Sequence, residues 1–101
     1  MLAAEAGLPV TMEPGRFLVG SAGVLLTEVL YRKHSGGRDF VIVDAAMNDL
    51  LRPSLYKAHH EIVEVVPAGR PAGPVDVVGP ICETGDFLAL ERTLPKVEPG
   101  E

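Results

Sequence analysis

The chain has 101 residues, enough for one compact domain and too few for two. Apolar residues make up 47% of it and charged ones 23%, a balance that suits a folded globular protein and excludes a disordered one. Its net charge of -5, with no cluster of Lys or Arg, lacks the basic face that a nucleic-acid partner requires.

In chain order, Met1 to Ala6 reads as the last turns of a helix, which Gly7 ends in the left-handed conformation. Glu5, without any early Lys or Arg, does not suit a signal peptide. Leu8-Pro9-Val10-Thr11-Met12 reads as a short strand that begins through a proline. The apolar stretch from Phe17 to Leu26 is broken by Gly20, Ser21 and Gly23, far short of the ~20 residues of a membrane helix. Gly23 to Lys33 is rich in Val, Leu, Thr and Tyr and predicts a strand, stopped by the loop His34 to Arg38. Phe40-Val41-Ile42-Val43 is a continuous apolar run of strand length, the mark of a strand covered on both faces. Asn48 to Lys57, with Pro53 inside it, reads as a short helical or irregular connection. Glu61 to Val66 is strand-like, Pro67 to Pro74 is a loop by composition, Val75 to Val78 is a strand, and Thr93 to Glu101 reads as polar turns. The expected architecture is mainly β and mostly antiparallel, with long connections.

Three motifs could carry chemistry. Glu13-Pro14-Gly15-Arg16 delivers an acid and a base at the C-terminal end of the first predicted strand, where α/β barrels place ligand groups. An exposed turn carrying an ion pair explains the tetrapeptide equally well. In Gly79-Pro80-Ile81-Cys82-Glu83-Thr84-Gly85-Asp86-Phe87-Leu88 the cysteine is followed by three polar positions and a glycine, which is loop sequence. An isolated free cysteine more often behaves as a small buried hydrophobe. Being the only cysteine, Cys82 has no internal disulfide partner, which fits a reducing cytoplasm. In the third motif, Met47 to Tyr56, Arg52 and Tyr56 lie four apart and share one helical face. They read either as a ligand pair or as a solvated arginine above a packing tyrosine. Asp44, Asn48 and Asp49 lack the glycine and terminal glutamate of a calcium loop and read as turn formers. His59-His60, adjacent on a predicted strand, would face opposite sides, so no metal site is expected.

Taken together, Glu13-Pro14-Gly15-Arg16, the run Gly20 to Leu26 and the cysteine motif resemble the pyridoxal-phosphate-dependent fold-type III decarboxylases. The form Cys82-Glu83-Thr84-Gly85-Asp86 resembles their diaminopimelate branch; the ornithine and arginine branches usually carry an aspartate after the cysteine. The resemblance runs from about Leu2 to Leu90. It implies the antiparallel, barrel- or sandwich-like C-terminal β-domain of an alanine-racemase-like enzyme, preceded by the last helix tail and strand of a TIM-type α/β barrel. Residues 1–16 would then be the barrel remnant and residues 17–101 a C-terminal β-domain truncated at its end.

The same resemblance assigns Glu13, Pro14, Gly15 and Arg16 to pyridoxal 5'-phosphate, with Glu13 on the pyridine nitrogen. It gives Arg16, Arg52, Tyr56 and Glu83 to the substrate, meso-2,6-diaminopimelate, and makes Cys82 the catalytic acid that returns a proton to Cα. The product would be L-lysine, with CO2 released, in a cytoplasmic homodimer whose active site is shared between subunits. Another basic amino-acid decarboxylase is the alternative within the class. The Schiff-base lysine of the family is absent here, since Lys33, Lys57 and Lys96 all lie outside a barrel context. The chain alone is therefore expected to bind the cofactor weakly and to catalyse nothing. Phe40 to Val43 or Val75 to Val78 is expected to be left with an unpaired edge that drives association. A free-standing β-module serving binding or assembly is the reading from a different class.

Overall fold

Two glycines set the first turn of the sheet. Val29–Ser35 (β1) and Arg38–Val43 (β2) form an antiparallel hairpin around Gly36-Gly37, whose φ angles are 59° and 76°. Positive φ at both central positions matches the twist of the paired strands, and glycine adopts it without a Cβ clash. The computed structural model describes residue 5 and residues 7–101. Apart from Glu5, the helix expected over Met1 to Ala6 lies outside the described residues, while Gly7 has the φ of 65° of a helix terminator.

Ala72–Val78 (β3) pairs with β2 in parallel, and Phe87–Pro95 (β4) pairs with β3 antiparallel, giving one four-stranded mixed sheet in the order β1-β2-β3-β4. The chain is mainly β, as its composition of strand-length apolar runs predicts. Val41, Ile42 and Val43 are all buried. Successive strand residues face opposite sides, so β2 is covered on both faces as its unbroken apolar run implies. One face holds the core of Val29, Val41, Val43, Ala45, Val75, Val77, Leu88, Ala89 and Leu94, against which Leu50, Ile62 and Val97 pack. The only other helices among the described residues are single turns, Gly15–Val19 (α1) and Arg52–Tyr56 (α2), and α2 packs against β4 with Pro53 fully buried.

Several expectations are corrected. The strand predicted over Gly23 to Lys33 begins only at Val29, and neither Leu8 to Met12 nor Glu61 to Val66 pairs with a strand among the described residues. Glu61 to Val66 does alternate, with Ile62 packed on the core and Val63 and Val65 exposed, but no neighbouring backbone takes up its hydrogen bonds. The Pro67 to Pro74 loop ends at Pro71, because Ala72, Gly73 and Pro74 pair with Pro95, Leu94 and Thr93. Pro74 is tolerated there because it stands before the pairing of β3 with β2 begins at Asp76, so its missing N–H breaks no bond to β2. Thr93 to Pro95 accordingly belongs to β4, a strand absent from the sequence reading. The edge expectation fails as well: β2 and β3 are the two central strands, and the outer ones are β1 and β4.

Two buried or bridging carboxylates fix irregular points. Where β4 bulges opposite Asp76, Glu91 takes a φ of 49°, and its N–H donates to Asp76 Oδ1 at 2.7 Å. Asp76 is 2% exposed and its other oxygen lies 2.6 Å from Arg38 Nη2. At the end of β2, Asp44 Oδ1 accepts from Thr27 Oγ1 at 2.5 Å and from Glu28 N at 2.8 Å, clasping the approach to β1. Leu8 to Leu26 forms an arm: Phe17 is 87% and Val24 96% exposed, and α1 touches no other helix or strand among the described residues. The arm stretches the molecule to 60 × 31 × 21 Å, with a radius of gyration of 18.2 Å against about 13 Å for a compact chain of this length.

Candidate functional site

The parallel pairing of β2 with β3 has a consequence for chemistry: the segments leaving both strands emerge at the same end of the sheet. C-terminal ends of parallel strands are where α/β proteins gather ligand groups. Beyond β2 the chain runs through a turn at Met47–Asp49, closed by Asp49 Oδ2 accepting from Ala46 N at 2.9 Å, into α2. Beyond β3 it enters the loop Gly79–Asp86 and returns as β4.

In α2 the guanidinium carbon of Arg52 lies 5.6 Å from the centroid of the Tyr56 ring, so the two side chains do share a face. Arg52 is half-buried, Tyr56 is exposed, and the guanidinium has no ion-pair or hydrogen-bonded partner among the described residues. Leu51 and Pro53 frame the turn, and Lys57 ends it in the left-handed conformation at φ 52°. A planar fork with free donors is suited to a carboxylate.

The cysteine loop is tightly wound. Glu83 N donates to Ile81 O at 2.8 Å, Asp86 N to Glu83 O at 3.0 Å, and Phe87 N to Gly85 O at 2.9 Å. Cys82 is exposed, which removes the reading of a buried packing residue. The Glu83 carboxylate accepts from Gly85 N at 3.1 Å and Thr84 Oγ1 at 3.0 Å. Those two bonds, the Gly85 amide first, hold its pKa below the usual carboxylate value, so it stays ionised for a cationic group. Gly85 rests against α2, since a Cβ there would meet Ser54 Oγ at 3.1 Å. The loop that carries Cys82 and Glu83 thus lies beside the helix that carries Arg52 and Tyr56, and the two form one assembly in that sense.

Glu13, Pro14, Gly15 and Arg16 are not part of that assembly. They sit on the arm around the start of α1, and no hydrogen bond, ion pair or contact between elements joins them to Cys82, Glu83, Arg52 or Tyr56. Glu13 and Arg16 also have no partners of their own among the described residues, so the ion pair of the alternative reading is not formed. What remains is a free carboxylate and a free guanidinium flanking Gly15, where a Cβ would meet nothing within 4 Å. In kind, this donor set fits a ring nitrogen and a phosphate approaching the backbone closely.

Sequence reasoning missed three members of the assembly. Ser54 carries no local signal. Gly79 and Asp86 stand inside the cysteine motif, but only the fold shows that they touch: Asp86 is buried, and its oxygens accept from Met47 N and Ile81 N, each at 2.7 Å. His59 and His60 lie off any strand, with His59 Nε2 3.1 Å from Glu61 Oε2 and the His60 carbonyl accepting from Arg92 Nη1 at 2.9 Å. Among the described residues no helix is long and apolar enough to cross a membrane.

Comparison with known proteins supplies the context. The family profile described as "Pyridoxal-dependent decarboxylase, C-terminal sheet domain" matches residues 2–101. A diaminopimelate decarboxylase of Pseudomonas fluorescens is 58% identical over 87 residues, covering 86% of this chain and 21% of that protein. A crystal structure from Aquifex aeolicus superposes with a TM-score of 0.89 at 48% identity, covering 98% of this chain and 25% of the other. The diaminopimelate decarboxylase of M. jannaschii, in complex with L-lysine, superposes with a TM-score of 0.83 at 36% identity, covering 99% and 24%. The chain spans about a fifth to a quarter of the length of the curated relatives it matches.

Proposed function

Because the chain belongs to the family of pyridoxal-dependent decarboxylase C-terminal sheet domains, we propose that it is the C-terminal part of a cytoplasmic enzyme converting meso-2,6-diaminopimelate to L-lysine and CO2. The observation that carries this reading is that the loop with the exposed Cys82 and with Glu83 rests, at Gly85, against the helix bearing the unpartnered Arg52. A substrate with carboxylates and ammonium groups at both ends calls for that mixture of charges. Homologues named for diaminopimelate support the choice of substrate, and ornithine has no second carboxylate for Arg52 to meet.

The division of labour follows from the chemistry of each group. Pyridoxal phosphate, when bound, supplies the sink for the electron pair left as CO2 departs. Glu13 would keep the ring nitrogen protonated, with Pro14 and Gly15 shaping the approach of the backbone. Arg16 would bind the phosphate and a substrate carboxylate through its fork. Arg52 and Tyr56 would hold the distal carboxylate, Glu83 the distal ammonium. The Cys82 Sγ–H would then pass its proton to Cα, leaving a thiolate to be reprotonated from water.

The separation of Glu13–Arg16 from the cysteine loop within one chain supports a site shared between the subunits of a homodimer, in which a second copy unites them. The division into a barrel remnant at residues 1–16 and a β-domain at residues 17–101 belongs to the same proposal and rests on the resemblance, since α1 runs across that boundary and the arm continues to Leu26. The segment by itself would be inactive. Lys33 lies on β1, Lys57 ends α2 and Lys96 pairs with Glu98 at 3.3 Å, so none stands beside the cofactor residues. In the complete enzyme, Cys82→Ala is expected to lower turnover by ~10²–10⁴ while the cofactor stays bound, the usual loss for a positioned general acid. Assays on several diamino acids complete the test. Unchanged turnover in Cys82→Ala would remove the thiol from the mechanism, and faster turnover of ornithine than of diaminopimelate would remove the substrate assignment.

A further inference from the structure

Asp86 is 4% exposed and is engaged wholly with backbone. Its Oδ1 accepts from the N–H of Met47, in the turn that leads into α2, and its Oδ2 from the N–H of Ile81, the residue before Cys82, both at 2.7 Å. The last register pair of β3 with β4 is Val78 with Phe87, so this carboxylate lies beyond the ladder and joins two loops that the sheet does not hold together. Taking a carboxylate out of water is costly unless strong hydrogen bonds replace its hydration, and two short amide bonds do so here. Gly79 leaves the room for it. A Cβ at that position would lie 2.4 and 2.7 Å from the Asp86 oxygens and 2.8 Å from Ala45 O, while the Gly79 N–H donates to the Asp86 carbonyl at 3.2 Å.

We propose that Asp86 and the bare Cα of Gly79 form the positioning device that locks the cysteine loop to the turn before α2, and so sets the place of the Cys82 thiol relative to Arg52 and Tyr56. Asp86 is a positioning residue: it touches neither substrate nor cofactor and acts through the Ile81 and Met47 amides. Its importance for turnover rests on Cys82 being the proton donor; the lock itself does not.

The test uses the complete, cofactor-loaded enzyme with Asp86→Asn, Gly79→Ala and the double variant. Asparagine still offers one acceptor but turns an N–H toward the second amide. Hydrogen exchange at Met47 and Ile81 should speed up about tenfold or more, the size of one lost hydrogen bond, while Val77 in β3 keeps its protection. Alkylation of Cys82 by iodoacetamide, followed on its peptide without substrate, should change several-fold, and kcat should fall with cofactor absorbance retained. The double variant should lose no more than the worse single one, because both changes break the same contact. Unchanged exchange at Met47 and Ile81 in folded Asp86→Asn, or full additivity in the double variant, overturns the lock. Should these variants not fold, the unmodified enzyme decides: Met47 and Ile81 amides that exchange at the rate of an unprotected peptide of the same sequence overturn it, and joint protection upholds it. A fully active Cys82→Ala enzyme would remove the proton-donor reading and leave the exchange result standing.

Discussion

The arm from Leu8 to Leu26 and the sheet from Val29 to Pro95 draw on the same kinds of apolar residue and use them in opposite ways. Phe17, Leu18, Val19 and Val24 stand in water, while Val41, Val77 and Leu88 are buried. Sequence hydrophobicity is comparable; the difference is pairing. Every residue from Phe40 to Val43 has a strand partner in β1, and Phe40 to Ile42 have a second in β3, whereas Leu8 to Met12 has no partner among the described residues. Apolar side chains contribute to stability only in proportion to the area they remove from water, about 25 cal/mol per Å². The arm's apolar residues therefore contribute little within this chain, and its Glu13 and Arg16 find no partner in the sheet.

The largest test of this contrast pairs two leucines. Leu88→Ala should cost about 2–5 kcal/mol, the range for a buried leucine cut back in a core. Leu18→Ala should stay within about 0.5 kcal/mol in the 101-residue chain, as exposed substitutions do. Urea denaturation of both variants reads the difference, and comparable losses would show that the arm packs after all. Repeating Leu18→Ala in a full-length protein sharpens the comparison. A cost that rises toward that of Leu88→Ala is expected if a barrel covers the arm, and a cost that stays small favours a free-standing module.

A middle-sized effect belongs to the bulge in β4. Asp76→Ala would leave the part-buried Glu91 N–H without its acceptor and Arg38 without its partner, at about 1 kcal/mol, the net worth of a typical hydrogen bond. Thermal unfolding measures it, and a loss no larger than that of Leu18→Ala would show that the sheet does not depend on this carboxylate.

The smallest effect lies at the junction of arm and sheet, in the clasp between Thr27 and Asp44. The Thr27 hydroxyl, followed by the Glu28 amide, holds the Asp44 carboxyl below its usual pKa. A folded pKa below the unfolded one of about 4 gives stability that is present at neutral pH and is lost as pH falls through the folded value. Thr27→Val should therefore be less stable than the parent at pH 7, and the gap should close in acid. A gap of equal size at both ends of the titration would mean that Thr27 acts by packing alone.

Of the candidate site, the Arg52–Tyr56 face was legible from helical periodicity, and the loop character of the cysteine segment from its polar residues and glycine; the roles proposed for Glu13, Arg16, Cys82 and Glu83 rest on the family resemblance. β2 was legible because a strand buried on both faces needs no partner to be recognised. β4 was not: Phe87 to Pro95 carries Glu91 in a left-handed conformation and Arg92 turned to His60, so its apolar alternation is broken where it bulges. Glu61 to Val66 misled in the opposite sense, for it alternates like a strand and has no partner.

What the sequence determined by itself was therefore local: a chain reversal within His34 to Arg38, which the structure narrows to Gly36-Gly37 because His34, Ser35 and Arg38 are paired, the buried run Phe40 to Val43, the short turn at Arg52 and the loop character of Gly79 to Asp86. Each is fixed by the conformational limits of a few neighbouring residues. Only the tertiary structure decided that β3 lies parallel to β2. That pairing brings the Cys82 loop and α2 to one end of the sheet and places the Asp86 carboxylate between Met47 and Ile81, 39 and 5 residues away along the chain. Register and partner choice are settled by backbone hydrogen bonds and burial summed over distant segments, and no local pattern records that sum.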